Sequence, residues 1–285
     1  LTELATRYYS VNKRIHNFPE NCLRYGQVTL LQHLSHCYYN PSLAQATIDA
    51  RFHLNLGDDL IEGRFLERVN RFLARVEING HDVEVHVANS GRMNELLFLG
   101  VKVLVKPVLS DHRKTQFDLA LVALGNTLVS GDARLPNALV AEAIAEGHLS
   151  QFSEFPDITR EVQFGESRLD LMLQGRPGKF YVETKSVTLV EAGVGLFPDS
   201  PTVRGTKHLK SLAGAVAAGY RAAMVFVVQR ADADGFATND TADPLLAKTF
   251  RWACSVGVEA YAYKCIVTKT SIRLDQMIPI VSFQD

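Results

Sequence analysis

Period-two alternation, cut at short intervals by turn residues, constrains this chain more than any other feature. Basic and apolar residues alternate across 64–76 (RFLERVNRFLARV), the pattern of paired strands whose successive side chains point to opposite faces. Asn79-Gly80 is a hairpin signal. A second strand follows, in which Val83, Val85 and Val87 alternate with Glu84, His86 and Ala88. Asn89-Ser90-Gly91-Arg92 reads as a turn, and 99–108 (LGVKVLVKPV) and 117–124 (FDLALVAL) as two further strands. Four or five short strands within about 65 residues predict a small β-barrel, and the OB-fold is the commonest host of that pattern.

Near residue 135 the pattern changes. Leu135-Pro136-Asn137 opens a helix with Pro in its first turn and Leu139, Ala143 and Ile144 on one face; Gly147 ends it. Strands are expected at 159–164, 167–173 and 180–187, the last two joined by Gly175-Arg176-Pro177-Gly178. A loop over 191–202 leads into a helix at 203–218. The apolar run 222–228 (AAMVFVV) suits the centre of a buried sheet. The polar segment 230–243 reads as a mobile loop. Asp243-Pro244 caps a helix that stops at Gly257, and 258–267 is another strand. The fold class is therefore α/β (α+β): an OB-like barrel over 58–132 followed by a mixed-sheet domain over 133–285. Residues 1–57 are rich in Tyr, His and Asn with weak periodicity, and the first methionine is Met93. They are expected to be an atypical extension outside the native fold.

Charge settles less. Thirty basic residues against 31 acidic ones leave a net charge of -1, so there is no global basic signal, although nucleic-acid binding needs only a local patch. Cys22, Cys37, Cys254 and Cys265 form no C-x-x-C pair and read as reduced thiols. No apolar run reaches the roughly 18–20 residues that span a bilayer, and no signal peptide opens the chain. A cytoplasmic protein without a membrane partner is expected.

The sharpest chemical feature is Asp170 followed thirteen residues later by Glu183-Thr184-Lys185. Alternation puts Arg168, Asp170 and Met172 on one strand face with Leu169, Leu171 and Leu173 on the other, and places Glu183 and Lys185 together on the next strand. A hairpin brings Asp170 beside Glu183. Facing carboxylates repel unless a cation lies between them, and oxygen ligands of this kind suit Mg²⁺ or Mn²⁺. A lysine two residues on can position water or stabilise a phosphate transition state. A surface salt-bridge ladder would leave the same short motif. Element order favours the other reading, because Asp, hairpin, Glu-x-Lys within helix–three strands–helix–strand resembles the PD-(D/E)XK nucleases. Thr184 occupies a middle position that is usually apolar.

On the 203–218 helix, Arg204, Lys207, His208 and Ser211 share one face, with Lys210 at its border. The lysines and arginine can neutralise phosphates; His208 reads as a bystander. Glu142 could add a third carboxylate to a metal site, although surface solvation is the better account of it. In the barrel half, Asn89, Arg92, Arg113 and Lys114 lie on loops of the kind that meet oligonucleotides in OB barrels.

RFLARVEINGHDVEVHVANSGRM, RKT, LPNALVAEAI, EVQFGESRLDLML, FYVETKSVTL and LFPDSPTVRGTKHLKSL, in that order over about residues 60–285, resemble the sugar fermentation stimulation protein (SfsA) family. The resemblance implies an OB-like domain, a PD-(D/E)XK-like domain, non-specific or weakly specific DNA binding, and regulation of sugar (maltose) metabolism genes. It lays the nuclease pattern on Asp170, Glu183 and Lys185, and the RG-x-KHL element on Arg204, Gly205, Lys207, His208 and Leu209. The expected protein is a nucleoid-associated DNA-binding regulator with a nuclease-type Mg²⁺ site, in a state compatible with a homodimer. An active Mg²⁺-dependent nuclease is the first alternative. A metabolite-sensing module without nucleic acid is the second, and the basic helix argues against it.

Overall fold

The computed structural model describes residues 53–109 and 112–281; most of the expected extension lies outside the described residues. A short strand β1 (Leu54–Asn55) is followed by six that form one sheet: β2 (Ile61–Asn70), β3 (Leu73–Ile78), β4 (His81–His86), β5 (Lys102–Pro107), β6 (Phe117–Leu124) and β7 (Thr127–Ser130). Asn79 and Gly80 both take positive φ, 52° and 80°, which is what a two-residue hairpin between twisted strands needs. β2 pairs with β3 and β5, β3 with β4, β5 with β6, and a short parallel pairing of β4 with β6 closes the barrel. Five strands in the circuit β2-β3-β4-β6-β5 make the OB arrangement expected. Phe65, Val76, Val85, Val103, Val105 and Leu119 fill the interior together with Met93 and Leu96.

The second half comprises α1 (Leu135–Ala145), a 3₁₀ turn (Ser150–Phe152), β8 (Asp157–Phe164), β9 (Ser167–Gly175), β10 (Gly178–Val187), β11 (Val190–Glu191), β12 (Val194–Phe197), α2 (Val203–Ala217), β13 (Arg221–Val228), β14 (Gly235–Thr238), α3 (Pro244–Ser255), β15 (Glu259–Val267) and β16 (Ser271–Met277). The main sheet runs β1-β16-β15-β13-β10-β9-β8. Its centre, β10-β13-β15, is parallel, and as expected of a strand covered on both faces, β13 is apolar almost throughout. α1 packs on one side, where Leu139, Val140 and Ile144 meet Leu171, Val182 and Val225. α2 and α3 cover the other, where Leu209, Leu212 and Phe250 meet Met224, Phe226 and Val228.

Three expectations need correction. Residues 54–57 belong to the fold: β1 pairs with β16, and Leu56 is buried in the α1-side core. The segments 191–202 and 230–243 are not plain loops, and the second is not built as a mobile one. β11, β12 and β14 form a small sheet, and Phe236 of β14 is fully buried with its ring 4.0 Å from that of Phe226. The alternation expected across 168–173 also breaks. Leu171 and Leu173 pack with the α1-side core, while Leu169 packs with the α2-side one. The change falls at Asp170, near the point where Glu161 on the neighbouring β8 has φ 57°.

Cys254 and Cys265 are buried, and burial pushes the Cys265 thiol up; Cys22 and Cys37 lie outside the described residues. No helix among the described residues is long and apolar enough to cross a membrane.

Candidate functional site

The β9–β10 ladder ends at the pair Val182–Leu171, one step short of Asp170 and Glu183. Beyond that point β10 continues against β13 alone, and side chains take over the pairing. Thr184 donates both its backbone N–H and its hydroxyl to Asp170 Oδ2, at 2.8 and 2.6 Å. The Asp170 N–H points to Glu183 Oε2 at 3.3 Å, so Asp170 and Glu183 are tied together through backbone and side-chain bonds. Asn137, in the first turn of α1, reaches the Asp170 carbonyl at 3.5 Å.

Glu183 is the buried member, its side chain 3% exposed. The Lys185 ammonium and His208 Nδ1–H both donate to its Oε1, and Lys185 Nζ lies 3.2 Å from His208 Nδ1. Arg204 Nε approaches His208 Nε2 at 3.4 Å, an arrangement that suits a proton on Nδ1. Burial alone would push the Glu183 carboxyl up. Lys185 and His208 outweigh it and hold the group below the usual carboxylate range.

Asp170, Glu183 and Lys185 are thus gathered as expected. His208 departs from expectation: it is 4% exposed and turned under α2 onto Glu183, rather than outward with the basic stripe. Helical spacing gave its direction around the axis but not the depth of the helix. Ser211 likewise points inward, donating to Ser167 Oγ at 2.7 Å. Arg204, Lys207 and Lys210 are exposed, Lys207 standing 3.4 Å from Glu166. Glu142 is half-buried on α1, and no group of three or more His, Cys, Asp or Glu side chains is gathered as metal ligands among the described residues. Asp170 and Glu183 remain, hard-oxygen groups of the kind that suit a cation keeping most of its own water, as Mg²⁺ does.

On the barrel, Asn89 is occupied by structure. Its amide donates to the Gly131 carbonyl at 2.9 Å, and its oxygen accepts from Gly91 N at 2.8 Å. Arg92 is exposed. Arg113 pairs with Asp118, and with exposed Lys114 it lines a cleft of about 470 Å³. Sequence reasoning missed Asn137, the role of Thr184, and Arg134, which also lines that cleft. A Thr in a conventionally apolar slot was the available signal for the second.

Comparison with known proteins covers both halves. Residues 66–130 match the SfsA N-terminal OB domain, and residues 134–271 the sugar fermentation stimulation protein RE domain. A sugar fermentation stimulation protein homolog from Desulforamulus reducens is 45% identical over 222 residues, 78% of this chain and 92% of that protein. One from Alkaliphilus metalliredigens is 44% identical over 222 residues, 77% and 96% of the two chains. The structure of Pyrococcus furiosus SfsA in complex with Ca²⁺ superposes with a TM-score of 0.75 at 29% identity, covering 79% of this chain and 97% of the other. With its barrel, its sheet domain and nearly the full length of these relatives matched, the chain belongs to the sugar fermentation stimulation protein family.

Proposed function

We propose that this protein binds nucleic acid with little sequence preference, in the service of sugar (maltose) gene regulation, through a nuclease-type site that takes Mg²⁺ or Mn²⁺ at Asp170 and Glu183. The observation that carries this is Asp170 and Glu183 tied together at the open end of the β9–β10 hairpin, with Lys185 against Glu183 and exposed Arg204, Lys207 and Lys210 on the helix above. A divalent cation held there would offset the two negative charges and draw in a phosphate oxygen. The solved relative's Ca²⁺ is a cation with the same preference for oxygen ligands. Arg204, Lys207 and Lys210 bind phosphates, Thr184 and Asn137 orient Asp170, and His208 orients Glu183. DNA at a nucleoid is the partner that the family resemblance favours.

A second reading, hydrolysis of a phosphodiester, is favoured by the Lys185 ammonium held at the carboxylate pair, where it can position water. Plasmid, single-stranded DNA and RNA, each incubated with the full chain in Mg²⁺, Mn²⁺ or EDTA, test both readings. Binding should weaken steeply with salt, and Asp170→Ala should remove its metal-dependent part. Metal-dependent cleavage abolished by Asp170→Ala and by Lys185→Ala would establish the second reading. No affinity for any nucleic acid at low salt would sink both.

A further inference from the structure

The barrel cleft lies at Phe72, and neither Asp170 nor Glu183 lines it. The geometry points to a stacking site there: we propose that it holds one unstacked base of a single-stranded nucleic acid against Phe72, with the flanking phosphates on Arg113, Lys114 and Arg134. This rests on the nucleic-acid reading above and adds the form of the ligand and the residues that select it.

Phe72 sits at the tip of the turn between β2 and β3 and is 47% exposed. Its main chain is fixed at the mouth of the cleft. The Asn70 side-chain oxygen accepts the Phe72 N–H at 2.9 Å, the Phe72 carbonyl accepts from Val87 N at 2.9 Å, and the His86 ring backs the Phe72 ring at 6.4 Å and 26°. Across the cleft, Arg113 and Arg134 converge on Asp118, whose carboxylate is only 14% exposed. Burial would raise that carboxyl, but the guanidiniums outweigh it and keep it charged. Asp118 therefore holds Arg113 at the cleft, while Asp132 takes Nε and Nη2 of Arg134 and Asp118 stands 3.4 Å from that same Nη2. Lys114 is exposed beside them.

The cleft is built from the turn joining the first two barrel strands, the face of the second and third, and the loop between the fourth and fifth. That is where this barrel type accepts oligonucleotides. Its charge is balanced, with Arg113, Lys114 and Arg134 set against Asp118, Asp132 and Glu84. A duplex, whose attraction is mostly phosphate charge, gains little from such a surface. A base freed from its stack gains the aromatic face, whatever its identity.

The test uses the full chain and fluorescence anisotropy with a labelled single-stranded oligodeoxynucleotide and the duplex of the same sequence. Phe72→Ala should weaken single-strand binding about tenfold and leave the duplex unchanged, while Phe72→Tyr should restore the single-strand affinity. Equal loss for both forms, or none for the single strand, overturns the proposal. So does displacement of the strand by a free nucleoside monophosphate at equal affinity, which would assign the cleft to a metabolite. Wild-type binding to duplex alone would remove this site and leave the broader reading standing; binding to neither would remove both.

Discussion

Arg230 is a cation 6% exposed, and a buried charge persists only where it is paired and hydrogen-bonded. Both Asp232 oxygens accept from it, at 2.6 and 2.8 Å, and the Thr188 carbonyl takes a third bond at 3.0 Å. Arg230 in turn holds Asp232 below its ordinary value of 3.8. A lowered carboxyl contributes stability above that ordinary value and loses it as pH falls toward the folded one. Asp232→Asn should therefore cost about 1–2 kcal/mol at neutral pH, the solvent-exposed side of the pair being screened, and the difference from wild type should vanish in acid. Urea denaturation at several pH values checks this; a pH-independent difference would refute it. Asp170, Glu183 and Lys185 were legible in sequence because a short hairpin makes their strands neighbours, even though the strand period itself breaks at Asp170. His208 and Asn137 were not legible. Their roles depend on how closely α2 and α1 approach the sheet, which no spacing encodes.

At the scale of elements, the β9–β10 hairpin is pinned at its far end by Gly175. A Cβ there would stand 1.9 Å from the Glu154 carbonyl oxygen and 2.8 Å from Phe155 Cα, backbone atoms that cannot swing aside. Gly175→Ala should cost about 1–3 kcal/mol and loosen the hairpin that carries Asp170, read as a lower denaturation midpoint; an unchanged midpoint would mean that the 150–155 segment yields freely. Sequence named this turn and the three strands around it, since their partners are adjacent in the chain. It did not name β12 and β14. Each is four residues long, Gly195 and Gly235 weaken their propensity, and their parallel pairing spans about 40 residues. β16 was missed as well, its polar Arg273 and Asp275 reading as surface.

At the scale of the molecule, no linker separates barrel from sheet. Leu104 and Leu121 of the barrel lie in the same core as Leu139 and Leu171. Met93 N donates to Asp199 at 2.9 Å, and Ser130 N to the Gln229 carbonyl at 3.1 Å. Residues 53–281 should unfold in one calorimetric transition; two resolved transitions would show that the shared core is too weak to couple them. The expected boundary at 132/133 is thus a change of architecture and not a hinge. Arg134 at the barrel cleft caps α1, and Asn137 at Asp170 stands on its first turn, three residues and about 4.5 Å further along the axis. The first turn then acts as a ruler. A strand long enough to reach from Phe72 to Asp170 should bind more tightly than one that fills the cleft alone, so affinity should climb with oligonucleotide length and then level off. A length series would show the step, and smooth growth would mean that the two ends are gripped independently.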